Sequence, residues 1–158
     1  MNEKPDLLAP ESSEQGQECK FCQIVLGRLD AEMIWSTAEW TAFLDYRPLQ
    51  LGHTLVVPNR HIPDFLSIDT RLIEPFFVGC QAVARAVMDA TGSQGIFFAI
   101  NNRVSQSVPH LHAHVVPRNR GDGLKGFFWP RRKYESKEQS ASFAKAIRSA
   151  LKEQLRKA

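Results

Sequence analysis

Three of the chain's five histidines, His110, His112 and His114, are spaced by two, and this spacing constrains the fold more than any other feature. Successive side chains on an extended strand point to opposite faces, so the three imidazoles share one face while Leu111, Ala113 and Val115 share the other. Such a strand rests its apolar face on a core, and a purely structural strand has no use for a row of imidazoles on its second face. At neutral pH imidazole can ligate a metal, move a proton or attack phosphorus or a carbonyl. A catalytic zinc on an H-x-H pair is one rival reading, but the strand's immediate neighbours supply no Asp, Glu or Cys as a further ligand.

The patterns around this strand indicate an α+β domain with an antiparallel sheet. Apolar and β-branched runs at 33–36, 40–45 and 53–57, punctuated by Pro48, Gly52 and Pro58, predict successive strands. From 69 to 91 the residues Ile73, Phe76, Phe77, Cys80, Val83, Ala84 and Val87 recur at intervals of three and four, which predicts an amphipathic helix capped by Asp69 or Thr70. Gly92 and Gly95 bound a strand at 96–100, a polar loop spans 101–109, and the histidine strand runs over 110–116. A second main helix opens on the capping box Ser136 and Gln139 and carries Phe143, Ile147, Leu151 and Leu155 on one stripe. Strands and helices do not alternate strictly, which disfavours a doubly wound parallel sheet.

A chain of 158 residues, 43% apolar, can bury about 70% of its unfolded surface in one domain without disulfide staples. The balance of 20 basic against 17 acidic residues disfavours both a disordered polyelectrolyte and a dedicated duplex-DNA binder. No run approaches the roughly 20 apolar residues of a membrane helix, and the first residues lack the order of a signal peptide, so a cytoplasmic protein is expected. Residues 1–18, with five acidic side chains against Lys4, read as a mobile acidic tail. Residues 19–135 form the domain and 136–158 a C-terminal helix packing on it. Beyond residue 18 there remain 19 basic and 12 acidic residues, a net charge of +7 that favours encounter with phosphate-bearing ligands.

The loop 101–109 is rich in donors, with Asn101, Asn102, Arg103, Ser105, Gln106 and Ser107. Amides, hydroxyls and a guanidinium running into a strand of imidazoles suit in-line attack on phosphorus, with the donors holding the non-bridging oxygens. A polar turn that satisfies its own hydrogen bonds competes with that reading. Cys19 and Cys22 form a C-x-x-C pair, more often a metal clip or redox pair than a structural disulfide in a reducing compartment, and Cys80 reads as a buried small hydrophobe. A closed tetrahedral site needs two more ligands, for which His61 is a free candidate.

The run His110-Leu111-His112-Ala113-His114-Val115-Val116 resembles the signature of the histidine triad (HIT) family of nucleotide hydrolases and transferases. The segments 19–24, 42–45 and 52–61, Asn101, and Gln106-Ser107-Val108 are similar to family segments in the family's order, over roughly residues 19–129. The resemblance implies a dimeric HIT fold and a small-molecule nucleotide substrate. It implies that His112 attacks the α-phosphorus to form a nucleotidyl-histidine that water then hydrolyses, and that His114 touches a phosphate oxygen. His110 would orient its neighbours or help protonate the leaving group, and Asn101, Gln106 and Ser107 would hold phosphate oxygens or the leaving group. Asp45 would bind the ribose hydroxyls, Phe21, Ile24 and Phe43 would line an apolar base slot, and His53 would stand behind the triad.

The same resemblance implies a structural zinc held by Cys19, Cys22, His61 and His110, the alternative being two buried reduced thiols. Zinc on His110 would remove it as a proton donor. Ser105 stands where a glycine commonly precedes the Gln-Ser-Val segment, and Pro109 removes an N–H just before the triad. The segment 121–131, with Phe127, Phe128 and Trp129, has no simple physical reading beyond an interface or a leaving-group pocket. Arg118, Arg120, Arg131 and Arg132 could meet distal phosphates or form a solvated rim. Two function classes follow: an enzyme acting on a purine nucleoside phosphoramidate or dinucleoside polyphosphate, or a nucleotide- or partner-binding protein without turnover.

Overall fold

The computed structural model describes residues 19–124 and 132–157, and the expected acidic tail, Phe127, Phe128, Trp129 and Arg131 lie outside them. In chain order the elements are α1 (Lys20–Val25), β1 (Met33–Ser36), β2 (Trp40–Leu44), β3 (Thr54–Pro58), a 3-10 turn (Phe65–Ser67), α2 (Thr70–Thr91), β4 (Gly95–Ala99), β5 (Ala113–Arg118) and α3 (Lys137–Lys157). The strands form one sheet in the order β1-β2-β3-β5-β4, and every neighbouring pair is antiparallel.

Residue alternation divides the sheet into two apolar faces. On one, Ala42, Val56, Leu111, Ala113 and Val115 pack with Phe76, Cys80, Val83 and Val87 of α2. On the other, Phe43, Leu55 and Val57 pack with Phe21, Cys22 and Ile24 of α1. Leu111, Ala113 and Val115 are buried under α2, as the alternation requires, so the imidazoles fall on the α1 face. The strand itself begins at Ala113, three residues later than the pattern predicts. The segment before it is held by single bonds instead of a ladder: the Leu111 N–H donates to Ile62 O at 2.6 Å and the His110 N–H to Val108 O at 2.8 Å.

Asp69 caps α2 by accepting the Arg71 N–H at 2.9 Å, and Gly92 ends the helix in the left-handed conformation at φ 63°. Within α2, Gly79 faces Trp40, and a Cβ there would overlap the indole ring. At the end of β3 the Thr41 hydroxyl donates to Asn59 Oδ1 at 2.7 Å, while Asn59 Nδ2 donates to Thr37 O at 2.8 Å. This pair of bonds fixes the turn that delivers His61.

Residues 123–158 form a separate compact unit containing α3. There the Gln139 N–H donates to Ser136 Oγ at 3.1 Å, but the Gln139 side chain accepts from the Glu135 N–H at 2.8 Å, one residue earlier than in a reciprocal capping box. Among the described residues no helix is long and apolar enough to cross a membrane.

Candidate active site and metal centre

The His112 side chain is 3% exposed and lies on the α1 face. Its Nδ1 is 2.7 Å from the His110 carbonyl oxygen, which can only accept, so Nδ1 carries the proton and Nε2 the lone pair. Burial pushes its pKa below the ordinary imidazole value, which keeps the ring neutral. Phe21 stands edge-on to it at 5.1 Å between centroids, and the His114 ring lies at 4.9 Å.

A hydrogen-bond chain sets the tautomer of His114 in turn. The Leu49 N–H donates to His53 Nδ1 at 3.2 Å, which makes Nδ1 the bare nitrogen and places the His53 proton on Nε2. That proton points to His114 Nδ1 at 3.0 Å, so the outward Nε2 of His114 is a donor. Burial, then the neighbouring His112 and His53, pushes His114 down to about 4, and burial also lowers His53. His53 is therefore a neutral relay, and Asp45 Oδ2, 3.6 Å from its Nδ1, is too distant for a hydrogen bond. Asp45 Oδ1 accepts the Arg47 N–H at 2.8 Å, which leaves Oδ2 as the oxygen turned toward the histidines.

Phe21, Ile24 and Phe43 belong to one buried cluster, with Phe21 and Phe43 rings 5.5 Å apart. They pack the core and wall the His112 side of the sheet at once. Asn101 follows β4 two residues beyond Ala99, which pairs with His114. The loop beyond it is tied down internally. Gln106 accepts the Arg103 N–H at 2.7 Å and donates to Pro63 O at 2.6 Å and, at 3.4 Å, to the His110 carbonyl, so its amide ties the loop to the start of the histidine segment. Ser107 is exposed. Two tethers were not legible in the sequence: Asn102 Oδ1 accepts the Phe65 N–H at 2.8 Å, and the Arg103 Nε–H donates to the buried Asp64 at 2.7 Å. Arg103 and Ser105 both adopt left-handed backbone, with φ 65° and 60°, so Ser105 takes the conformation for which glycine is suited. Arg118 is paired with Asp122 through both its Nε and Nη2.

His110 is fully buried and turns away from His112. Its Nε2–H donates to Pro58 O at 2.9 Å, which leaves Nδ1 facing Cys19 Sγ at 3.4 Å and Cys22 Sγ at 3.5 Å. His61 Nδ1 lies 3.4 Å from Cys22 Sγ, and the four ligand atoms fall within 4.8 Å of one another. A tetrahedral zinc with the usual bond lengths puts sulfur and nitrogen ligands about 3.6 Å apart, so the donor set and its spacing fit that ion. Burial, then the adjacent Cys19, pushes the Cys22 thiol up to about 12, and burial lowers His110 to about 4. Two enclosed thiols facing the ring nitrogens of His110 and His61 thus form a donor set whose charge a bound cation would supply. The half-buried His61 borders a cavity of about 510 Å³, also lined by Lys20 and Ser107, which gives an ion access to the cluster. With both ring nitrogens engaged, His110 contributes to His112 through its carbonyl.

Comparison with known proteins places this geometry. Residues 27–121 match the HIT domain family. Over 142 residues the chain is 32% identical to the protein "hit" of Bacillus subtilis, an alignment covering 85% of this chain and 97% of that one. It is 28% identical over 116 residues to the adenylylsulfatase HINT3 of Arabidopsis thaliana, covering 72% of this chain and 59% of that protein. Among solved structures, a zinc-bound histidine triad family protein from Mycobacterium smegmatis superposes with a TM-score of 0.65 at 32% identity, covering 88% of this chain and 99% of that one. The family model spans more than half of the chain and the relatives cover most of it, and the chain belongs to the histidine triad family.

Proposed function

We propose that this chain is a nucleotide hydrolase or transferase in which His112 attacks the α-phosphorus of a purine nucleoside 5′-phosphate derivative, either a phosphoramidate or a dinucleoside polyphosphate. The observation that carries the reading is the bond from His112 Nδ1 to the His110 carbonyl, which leaves Nε2 with its lone pair. That lone pair forms the N–P bond while the bond to the leaving substituent breaks. The substituent departs with the electron pair and takes up a proton. Water then attacks the phosphorus of the nucleotidyl-histidine, the N–P bond breaks, and the nucleoside monophosphate leaves. The His114 Nε2–H donates to a non-bridging oxygen as charge develops, Asn101 and Ser107 add donors, and Asp45 Oδ2 accepts from the ribose. Zinc, when bound by Cys19, Cys22, His61 and His110, supplies a structural cross-link between α1 and the triad. Membership of a nucleotide-binding family with a hydrolase among its relatives supports this reading, and a cytoplasmic homodimer is part of it.

The test is release of AMP from an adenosine phosphoramidate and from diadenosine polyphosphates, with wild type and His112→Ala side by side. Wild type turns over at least one of these substrates. His112→Ala loses turnover by about a thousandfold or more and still binds AMP. Retained turnover in His112→Ala refutes the proposed nucleophile. AMP binding without turnover of any of these substrates by wild type would instead favour a binding protein.

A further inference from the structure

We propose that the Cys19, Cys22, His61 and His110 cluster is a positioning device for the nucleophile: occupied by a zinc-class divalent cation, it fixes the two groups that hold the His112 ring, the His110 carbonyl and the Phe21 ring. The inference rests on reading His112 as the nucleophile.

Among the described residues three contacts hold the His112 ring: the His110 carbonyl, Phe21 and His114. Two of these are tied to the cluster. His110 is one of its four ligands, and Phe21 sits in the chain between two others, Cys19 and Cys22. Phe21 also packs edge-on against the His110 ring at 5.9 Å, so one phenyl ring spans ligand and nucleophile. Among the described residues, His110 is pinned by its ring at Pro58 O, by its N–H at Val108 O and by a long bond from Gln106 Nε2 to its carbonyl at 3.4 Å, and the cluster engages its remaining nitrogen.

Without a cation that last restraint consists of weak contacts to sulfur at 3.4 and 3.5 Å. With one, four ligands lock the backbone of residues 19–22 to that of residue 110. Without that lock, rotation of the His110 peptide would release the proton on His112 Nδ1, and the ring would sample its other tautomer, in which Nε2 carries hydrogen and cannot attack. A clip serving stability alone would have none of these links to the reacting ring.

The experiment uses the full chain. Zinc content is measured, the protein is treated with a chelator, and zinc is added back. At each stage circular dichroism, kcat and KM for AMP release, and the ring nitrogen shifts of His112 in histidine-labelled protein are recorded, the shifts being assigned against His112→Ala. The expected result is near-stoichiometric zinc. The folded metal-free protein loses about tenfold or more in kcat with KM changed less than about twofold. Its His112 shifts move from the Nδ1–H form toward a mixture of tautomers, and zinc restores both properties.

Should chelation unfold the chain, His61→Ala and His61→Cys carry the test, since His61 touches the cluster and not His112. The alanine variant lowers zinc content and kcat together, and the cysteine variant, which keeps four ligands, recovers both. Absence of bound zinc, zinc loss without loss of kcat, or an unchanged His112 spectrum in folded metal-free protein overturns the proposal. If no form releases AMP while the His112 spectrum still follows zinc, the proposed activity fails and the coupling stands.

Discussion

His53 is 1% exposed, and its place behind His114 gives it a role distinct from that of a core residue. It takes a proton-bearing contact from the Leu49 backbone and passes a donor on to His114, so the orientation of one imidazole is set two bonds away. His53→Ala should lower kcat ten- to a hundredfold, roughly the effect of a misaligned donor, with a smaller change in KM. His53→Gln, whose amide can still donate to His114 Nδ1, should recover part of the loss. Steady-state kinetics on the three proteins checks this, and a change confined to KM would contradict it. The imidazoles and the C-x-x-C were legible in the sequence because their types and spacing are rare by chance. The direction of each hydrogen bond was not, because it depends on backbone groups such as Leu49 N–H and Pro58 O that any residue could supply. The use of Gln106 as a loop tether was hidden for the same reason.

At the scale of elements, α2 lies close against the sheet where Gly79 meets the Trp40 ring. Alanine normally improves a helix interior, yet here its Cβ would overlap the indole, and overpacking of this kind costs about 1–3 kcal/mol. Gly79→Ala should therefore lower the melting temperature, and Gly79→Ala with Trp40→Leu should recover part of it, as thermal unfolding of the two variants would show. Unchanged stability in the single variant would mean that α2 can shift away from the sheet. The periodicity of α2 and the apolar runs of β2 and β3 were readable because each element's pattern matches its own burial, whereas β1 is apolar yet exposed along its length. The start of β5 was not: His110 and Leu111 alternate like a strand, but their N–H groups pair with Val108 and Ile62 outside any ladder. The left-handed backbone of Arg103 was also hidden, since such a residue ordinarily avoids that region, whereas the glycine expected at Ser105 pointed to it there.

Across the whole molecule, burial of neutral histidines links stability to pH. His110 and His114 are held near 4 in the folded chain, against an ordinary value of 6.5. Above 6.5 neither state binds the proton and stability is full. Between 6.5 and 4 the unfolded chain binds protons that the folded chain refuses, so stability falls as pH drops, and the loss levels off below 4. Urea midpoints should be flat above pH 7 and decline steadily toward pH 4.5, with a shallower decline in His114→Gln. A midpoint unchanged between pH 7 and 5 would contradict neutral burial.

The contact between Cys19 and His110 spans 91 positions in the chain. Closing a loop of that length costs about 4 kcal/mol in chain entropy, and local structure cannot offset it in advance. The α1 segment and the histidine segment therefore meet only after the sheet between them has formed. A full-length chain arrested partway through folding carries all of its histidines, but its His112 ring is not yet held. The orientation of the His112 ring is thus among the last properties the folding chain acquires.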